Sequence, residues 1–405
     1  MQWIVKIGEV VDVTHGFAFK SADFSTTNDA KLPIVLTPGN FSEDARHIFS
    51  DKNTKRFTGE IPQKFLFSKG ELTIVMTDLS SKMKILGKPA FVERENILHN
   101  QRIGRVIPKS DQIDQRYLYY FLQSDEAGAQ IKGSATGTMV RHTAPKRILS
   151  LEIPLPQIKE QHRIVAILDD AFEGLARARG HAEANLQNAR ELFDAQLSAM
   201  FRKIDAGQKK PLGDVCDFVR GPFGGSLKKA IFKPSGYAVY EQQHAIRDQF
   251  EDFRYFIDDA KFAEMARFRV EAGDLIMSCS GTMGKVAIVP EDAPDGIINQ
   301  ALLKLRPSEE LRAEFLKRWM QSDDFQDQLS ANTMGVAIKN VASVKTLKTL
   351  LAVVPSLEEQ ANIVSRSEEA EEQFVAITQS YEAKLGDLDD LRQSLLQKAF
   401  AGELT

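Results

Sequence analysis

The sequence predicts an α+β fold made of two repeated, β-rich mixed domains and two long helices that form an antiparallel coiled coil. Three observations predict it. An ordered set of short anchors occurs twice, about half a chain apart. Each copy carries short apolar runs bounded by Gly and Pro, the signature of strands. Each copy then ends at a Pro boundary, beyond which apolar residues recur every three and four positions.

The anchors keep one order. Ile7-Gly8-Glu9-Val10 recurs as Leu212-Gly213-Asp214-Val215, Gly70-Glu71-Leu72 as Gly273-Asp274-Leu275, and Asn100-Gln101 as Asn299-Gln300. Gln123-Ser124 recurs as Gln321-Ser322, and Pro156 with Glu160-Gln161 as Pro355 with Glu359-Gln360. Leu192 and Phe201 recur as Leu391 and Phe400. Such order marks a duplication, and an internal repeat decides the fold before any local pattern does.

Strands are expected at Leu72–Met76, Asp274–Met277, Lys285–Val289 and Ala301–Leu305, and one helix per copy at Asp114–Ser124 and Glu309–Leu329. Asn100-Gln101 and Asn299-Gln300, beside strands, read as structural turn or ladder-capping residues rather than as binding residues. After Pro156 a helical stripe runs through Ile164, Leu168, Ala171, Leu175, Ala178, Ala182 and Ala189. It continues with a shift through Phe193, Leu197, Met200 and Ile204. After Pro355 a second stripe uses Ala370, Phe374, Ile377, Tyr381, Leu385, Leu388 and Leu395. The first seam is rich in Ala and the second in bulky residues, so small can face large across a coiled coil. Each helix would be roughly 70 Å long at 1.5 Å per residue. The predicted boundaries are 1–156 for the first domain, 157–206 for the first helix, 207–355 for the second domain and 356–405 for the second helix.

Composition sets the class. The chain has 405 residues, 43% hydrophobic and 27% charged, enough apolar material for a core in each domain. Its two cysteines, Cys216 and Cys279, indicate no disulfide framework, so a reducing, cytoplasmic setting is expected. No apolar run approaches a membrane span, and Met1–Lys6 shows no basic segment followed by an apolar stretch, so no secretory signal is expected. The net charge of −4 is uneven. Residues 356–405 carry 4 Lys+Arg against 11 Asp+Glu, while residues 1–156 carry 21 against 17. The acid therefore sits on the last helix, and the first domain is free to present a basic face to phosphate.

Catalytic signatures are missing. The seven histidines show no metal-ligand spacing, and no His-Glu-x-x-His, Cys-x-x-Cys or EF-hand pattern occurs. Ser280-Gly281-Thr282-Met283-Gly284-Lys285 is not a phosphate loop, because Cys279 stands where that motif needs Gly and Val286 where it needs Ser or Thr. It reads as a turn between strands. Neither an adenine-methyltransferase motif nor a nuclease core is present, so the chain is expected to be no enzyme.

The domain–helix–domain–helix plan resembles the specificity subunit of type I restriction-modification systems over essentially the whole chain. The residues that carry the resemblance are Gly16-Phe17-Ala18-Phe19-Lys20-Ser21 with Asp23-Phe24, and Thr77-Asp78-Leu79-Ser80-Ser81-Lys82. Gly221-Pro222-Phe223-Gly224-Gly225-Ser226-Leu227, the loop Ser280–Lys285 and the Pro-x-x-x-Glu-Gln segments at Pro156 and Pro355 complete the set. The resemblance implies that each globular domain is a target recognition domain reading one half of a bipartite site in double-stranded DNA. It implies that the helices dock two methyltransferase subunits, and that restriction/translocase subunits join the complex. This chain would hold no cofactor, with S-adenosylmethionine, ATP and Mg²⁺ belonging to the partner subunits. No membrane association is expected.

DNA contact needs Lys, Arg or small polar donors on loops that reach a groove. The candidates in the first domain are Lys20, Ser81, Lys82, Lys84, Arg141 and His142. In the second they are Ser226, Lys228, Lys229, Ser280, Thr282, Lys285, Lys339 and Asn340. The alternative is a coiled-coil adaptor or scaffold with two folded heads and no DNA binding, which retention on DNA at moderate salt would separate.

Overall fold

The computed structural model describes residues 3–25, 29–204, 208–279, 282, 284–331 and 344–404. They form two compact units, Met1–Ala182 with Ala383–Thr405, and Glu183–Glu382.

The strands of the first unit are β1 (Trp3–Lys6), β2 (Val11–His15), β3 (Ile34–Leu36), β4 (Leu66–Phe67), β5 (Leu72–Val75), β6 (Thr77–Asp78), β7 (Pro89–Phe91), β8 (Ile97–His99), β9 (Ile103–Pro108), β10 (Arg141–His142) and β11 (Glu152–Leu155). A four-stranded antiparallel sheet runs in the order β2-β9-β5-β7, and a three-stranded mixed sheet in the order β3-β8-β4. β5 is buried along its whole length because it is covered on both faces. Leu72, Ile74 and Met76 point into the core shared with the helices, while Val75 joins Ile34, Phe67 and Ile97 beneath the smaller sheet. A strand buried twice reads as a continuous apolar run, which is why Leu72–Val75 lacks polar alternation.

The second unit repeats the plan. Its strands are β12 (Lys209–Pro211), β13 (Cys216–Arg220), β14 (Tyr237–Tyr240), β15 (Phe256–Ile257), β16 (Leu275–Ser278), β17 (Val286–Ile288), β18 (Gly296–Ile298), β19 (Leu302–Pro307) and β20 (Leu351–Val353). The sheets are ordered β13-β19-β16-β17 and β15-β14-β18. The parallel pairing β3·β8 of the first unit returns as β14·β18. Leu275 and Met277 face one core and Ile276 the other. Cys216 and Cys279 are both buried and unpaired, and burial raises their thiols to about 12 and about 11.

One helix per copy is expected between sheet and boundary; among the described residues, besides the short helices Pro145–Ile148 and Val344–Thr349 nearer the boundary, each copy has two in succession. They are Gln115–Phe121 and Asp125–Gly133 in the first unit, Ala313–Gln321 and Asp323–Ala331 in the second. The Gln-Ser anchor is where each pair breaks. Ser124 accepts from the Ala127 amide as an N-cap and donates to the Phe121 carbonyl (2.7 Å). Ser322 likewise donates to the Trp319 carbonyl (2.7 Å). A serine that satisfies the end of one helix and opens the next outcompetes continuation.

The long helices are Ile158–Arg202 and Leu357–Ala401. In each unit they pair antiparallel. In the first, Arg163 donates to the Leu404 carbonyl and Arg179 bonds Asp389 (2.7 Å), so the partner number falls as the first helix advances. In the second, Asn185 donates to Tyr381 Oη (3.0 Å) and Phe193 stacks on Phe374 at 5.3 Å. In the middle of the last helix the shielded positions follow a strict 3-4 alternation through Glu371, Phe374, Thr378, Tyr381, Leu385 and Leu388. This is the 3.5-residue period of a left-handed coil. Ile377 is therefore not a seam residue. It stays 39% exposed while Thr378 takes the seam position, because the heptad, not side-chain size, sets which way a helical residue points.

Candidate nucleic-acid interface

The heads are fixed to the helices by one repeated device. Gln161 is fully buried; its side-chain amide donates to the carbonyls of Gln112 (2.8 Å) and Pro156 (2.9 Å), and its oxygen accepts from the Asp114 amide (2.9 Å). Gln360 does the same with Glu310 (2.8 Å), Pro355 (2.9 Å) and the Arg312 amide (2.8 Å). Aromatic packing completes each joint. Phe400 meets Tyr117 and Phe121 edge-on in the first unit, and Phe201 meets Phe315 in the second.

At one end of the first four-stranded sheet, hydrogen bonds set four loops in a row. The Phe17 carbonyl accepts from Gln101 (3.0 Å), the Arg102 carbonyl from Met76 (2.9 Å), and the Met76 carbonyl from Thr143 (2.9 Å). The loop after Phe17, the turn Asn100–Arg102, the segment after Met76 and the segment before Thr143 thus stand side by side. Gly16 makes the first contact possible, since a Cβ there would lie 2.2 Å from the His99 carbonyl oxygen. Phe17 and Phe19 lock the loop against each other, Phe65 and Phe57.

This row carries all six predicted residues of the first domain. Lys20 is exposed on the first loop. Ser81, Lys82 and Lys84 are exposed on a loop braced by the buried Asp78, whose carboxylate accepts from the amides of Ser80 (2.8 Å) and Ile85 (3.0 Å). Lys84 is engaged with Glu43 (2.7 Å), an exposed pair that contributes little stability. Arg141 and His142 form β10, which pairs with Asp78 and Thr77 of β6. His142 Nδ1 lies 3.0 Å from Thr77 Oγ1. Arg141 Nε is shielded and has no hydrogen-bond partner among the described residues.

Among the described residues the second unit rebuilds three of the four segments of the row. Gly221 donates to the Leu302 carbonyl (3.0 Å) and Cys279 to that of Ala301 (2.9 Å). A Cβ on Gly221 would lie 1.8 Å from the Asn299 carbonyl oxygen, matching the crowding at Gly16. Ser226, Lys228 and Lys229 are exposed on the loop after Gly221, with Phe223 81% exposed at its tip. Thr282 and Lys285 are exposed between the antiparallel strands β16 and β17, and Gly281 and Met283 of the same segment lie outside the described residues. Ser280, Lys339 and Asn340 lie outside the described residues.

Arg102, which the sequence reading did not name, is also exposed on the row, in the turn Asn100–Arg102. Its signal was the adjacent Asn-Gln anchor, read only as structural. The asparagines do have that role: Asn100 Oδ1 accepts from Arg102 (3.0 Å) and Asn299 Oδ1 from Ala301 (2.9 Å).

Two like heads, each locked to the start of a long helix by a buried glutamine and each carrying polar loops at one sheet end, define a duplicated two-headed architecture. The chain belongs to the type I restriction modification DNA specificity domain family, which it matches over residues 2–180 and again over 207–385. It is 24% identical to the type I restriction enzyme EcoBI specificity subunit of Escherichia coli over 429 residues, covering all of this chain and 86% of that protein. It is 30% identical to the MjaVIII specificity subunit of Methanocaldococcus jannaschii over 162 residues, 39% of this chain and 36% of that protein. Its fold matches a chain from a structure described as the basis of complex assembly and conformational transition of the type I R-M system, with TM-score 0.75 at 18% identity over 99% and 98% of the two chains. The HsdS subunit from Thermoanaerobacter tengcongensis matches with TM-score 0.53 at 18% identity over 99% and 97%.

Proposed function

We propose that this chain is the non-catalytic, sequence-reading subunit of its type I complex, with each head reading one half of a bipartite site in double-stranded DNA. The observation that carries this reading is the loop row at the end of the first four-stranded sheet, three segments of which recur at the equivalent end of the second, with exposed lysines along both. Cations such as Lys20, Lys82, Lys228 and Lys229 suit phosphate, and polar side chains between them suit base edges. The heads differ in loop sequence, so the half-sites differ.

The helices dock two methyltransferase subunits, and restriction/translocase subunits complete the assembly. Leu192 and Leu391, one on each long helix and equivalent in the repeat, are 56% and 48% exposed. Two like apolar positions offer two like contacts for one kind of partner. S-adenosylmethionine, ATP and Mg²⁺ are then the partners' cofactors. Among the described residues no helix is long and apolar enough to cross a membrane, and two buried thiols fit a reducing compartment, the cytoplasm.

Methylome sequencing of cells carrying the complex tests this reading. Replacing residues 1–156 with the first domain of another family member should change one half-site only. A swap that altered both half-sites together would overturn independent reading by two heads.

A further inference from the structure

The turn at the centre of each loop row holds one residue the fold does not use. In Asn100-Gln101-Arg102 the backbone is held on both sides. Gln101 donates to the Phe17 carbonyl, Ile103 to that of Asn100, and Met76 to that of Arg102. The Asn100 side chain closes the turn. The Gln101 side chain is exposed and makes no hydrogen bond to any described residue. In the second unit Asn299 closes the same turn, Leu302 donates to its carbonyl, and Gln300 is exposed and likewise makes no hydrogen bond to any described residue. The neighbours on the row differ between copies: Phe17 against Pro222, Met76 against Cys279, Arg102 against Ala301. The glutamine is the same.

From this we infer that Gln101 and Gln300 are base-reading residues, each recognising an adenine in its own half-site. The inference rests on the DNA-reading function proposed above. Three physical points support it. A side-chain carboxamide offers one acceptor and two donors side by side, the complement of adenine N6 and N7. It is neutral, so it suits a base edge better than a phosphate, for which Lys20, Lys82, Lys228 and Lys229 stand on the flanking loops. And it projects from a turn pinned on both sides, the rigid mount that discrimination between bases requires. Because the same residue stands at the same place in both copies, the two half-sites share one adenine at equivalent positions, on opposite strands if the heads meet the duplex in opposite orientations, while their remaining bases differ.

The test is methylome sequencing with the intact complex carrying Gln101→Ala, Gln300→Ala or Gln101→Glu. The wild-type motif should hold an adenine at matching depth in each half-site. Gln101→Ala should make that one position degenerate in the first half-site, with discrimination lost on the order of 10- to 100-fold, and leave the second half-site unchanged. Gln300→Ala should do the reverse. Gln101→Glu should shift the position toward cytosine, whose N4 amine donates to a carboxylate. A motif unchanged in every variant, or uniform loss of methylation with no base relaxed, would overturn the inference and assign these residues to backbone contact or folding. A wild-type complex that methylates no bipartite motif would instead remove the DNA-reading function itself.

Discussion

The side-chain oxygen of Gln161 accepts the Asp114 backbone amide at 2.9 Å, tying the first residue pair of a helix in the head to the first turn of the long helix that follows it. Asp114 is itself the N-cap of Gln115–Phe121, accepting from the amides of Arg116 and Tyr117. One buried carboxamide therefore fixes where the head ends and in which direction the helix leaves it. Gln360 repeats the link in the second unit through the Arg312 amide.

Gln161→Ala should destabilise the first unit, and Gln360→Ala the second, each by about 2–4 kcal/mol. Each change strands one buried amide and two carbonyls, and an unsatisfied buried polar group costs roughly 1–3 kcal/mol. Gln161→Glu should be at least as harmful, since a carboxylate cannot donate to the Gln112 and Pro156 carbonyls. Urea titration of the purified chain checks this; a midpoint equal to wild type would show the joint to be held by apolar packing alone.

Acid should weaken the first unit. His99 is 1% exposed, donates through Nε2 to the Ile103 carbonyl (2.8 Å), and is held neutral by burial, its pKa lowered to about 4. The unfolded chain takes up this proton near 6.5 and the folded chain only near 4. The stability due to neutral His99 is therefore full above 6.5 and lost as pH falls from 6.5 toward 4. At pH 5 the loss is about 2 kcal/mol, at 1.36 kcal/mol per unit. Half-buried His47, which desolvation also lowers to about 4, adds in the same direction. The second unit has Ile298 at the place equivalent to His99. Hydrogen exchange at pH 7.5 and 5 should show the first unit loosening, and His99→Gln should reduce that loosening.

Leu391→Asp should remove one methyltransferase copy from the assembled complex, and Leu192→Asp the other, without unfolding the chain, because both side chains are half exposed already. The expected masses are one copy lost in each single variant and both in the double variant. Retention of two copies in the double variant would place docking elsewhere on the helices.

Much of this protein is written locally. The duplication, the doubly buried strands at Leu72 and Leu275, the Pro-marked domain ends and the two long helices follow from spacing and residue type, because strand and helix patterns depend on near neighbours in sequence. So do the exposed lysines, since a charged side chain without a buried partner stays in water. What the chain could not announce was partnership at long range. That Phe400 packs on Tyr117, so that the last turn of the second helix completes the first unit, depends on an antiparallel register hundreds of residues apart. That Thr378 rather than Ile377 enters the seam depends on the heptad phase set by that register. And Gln101 and Gln161, both glutamines in short repeated motifs, look alike in sequence. Only the packing decides that one is fully buried with three hydrogen bonds and the other stands exposed in a row of loops, because burial is fixed by what the rest of the chain brings to each side chain.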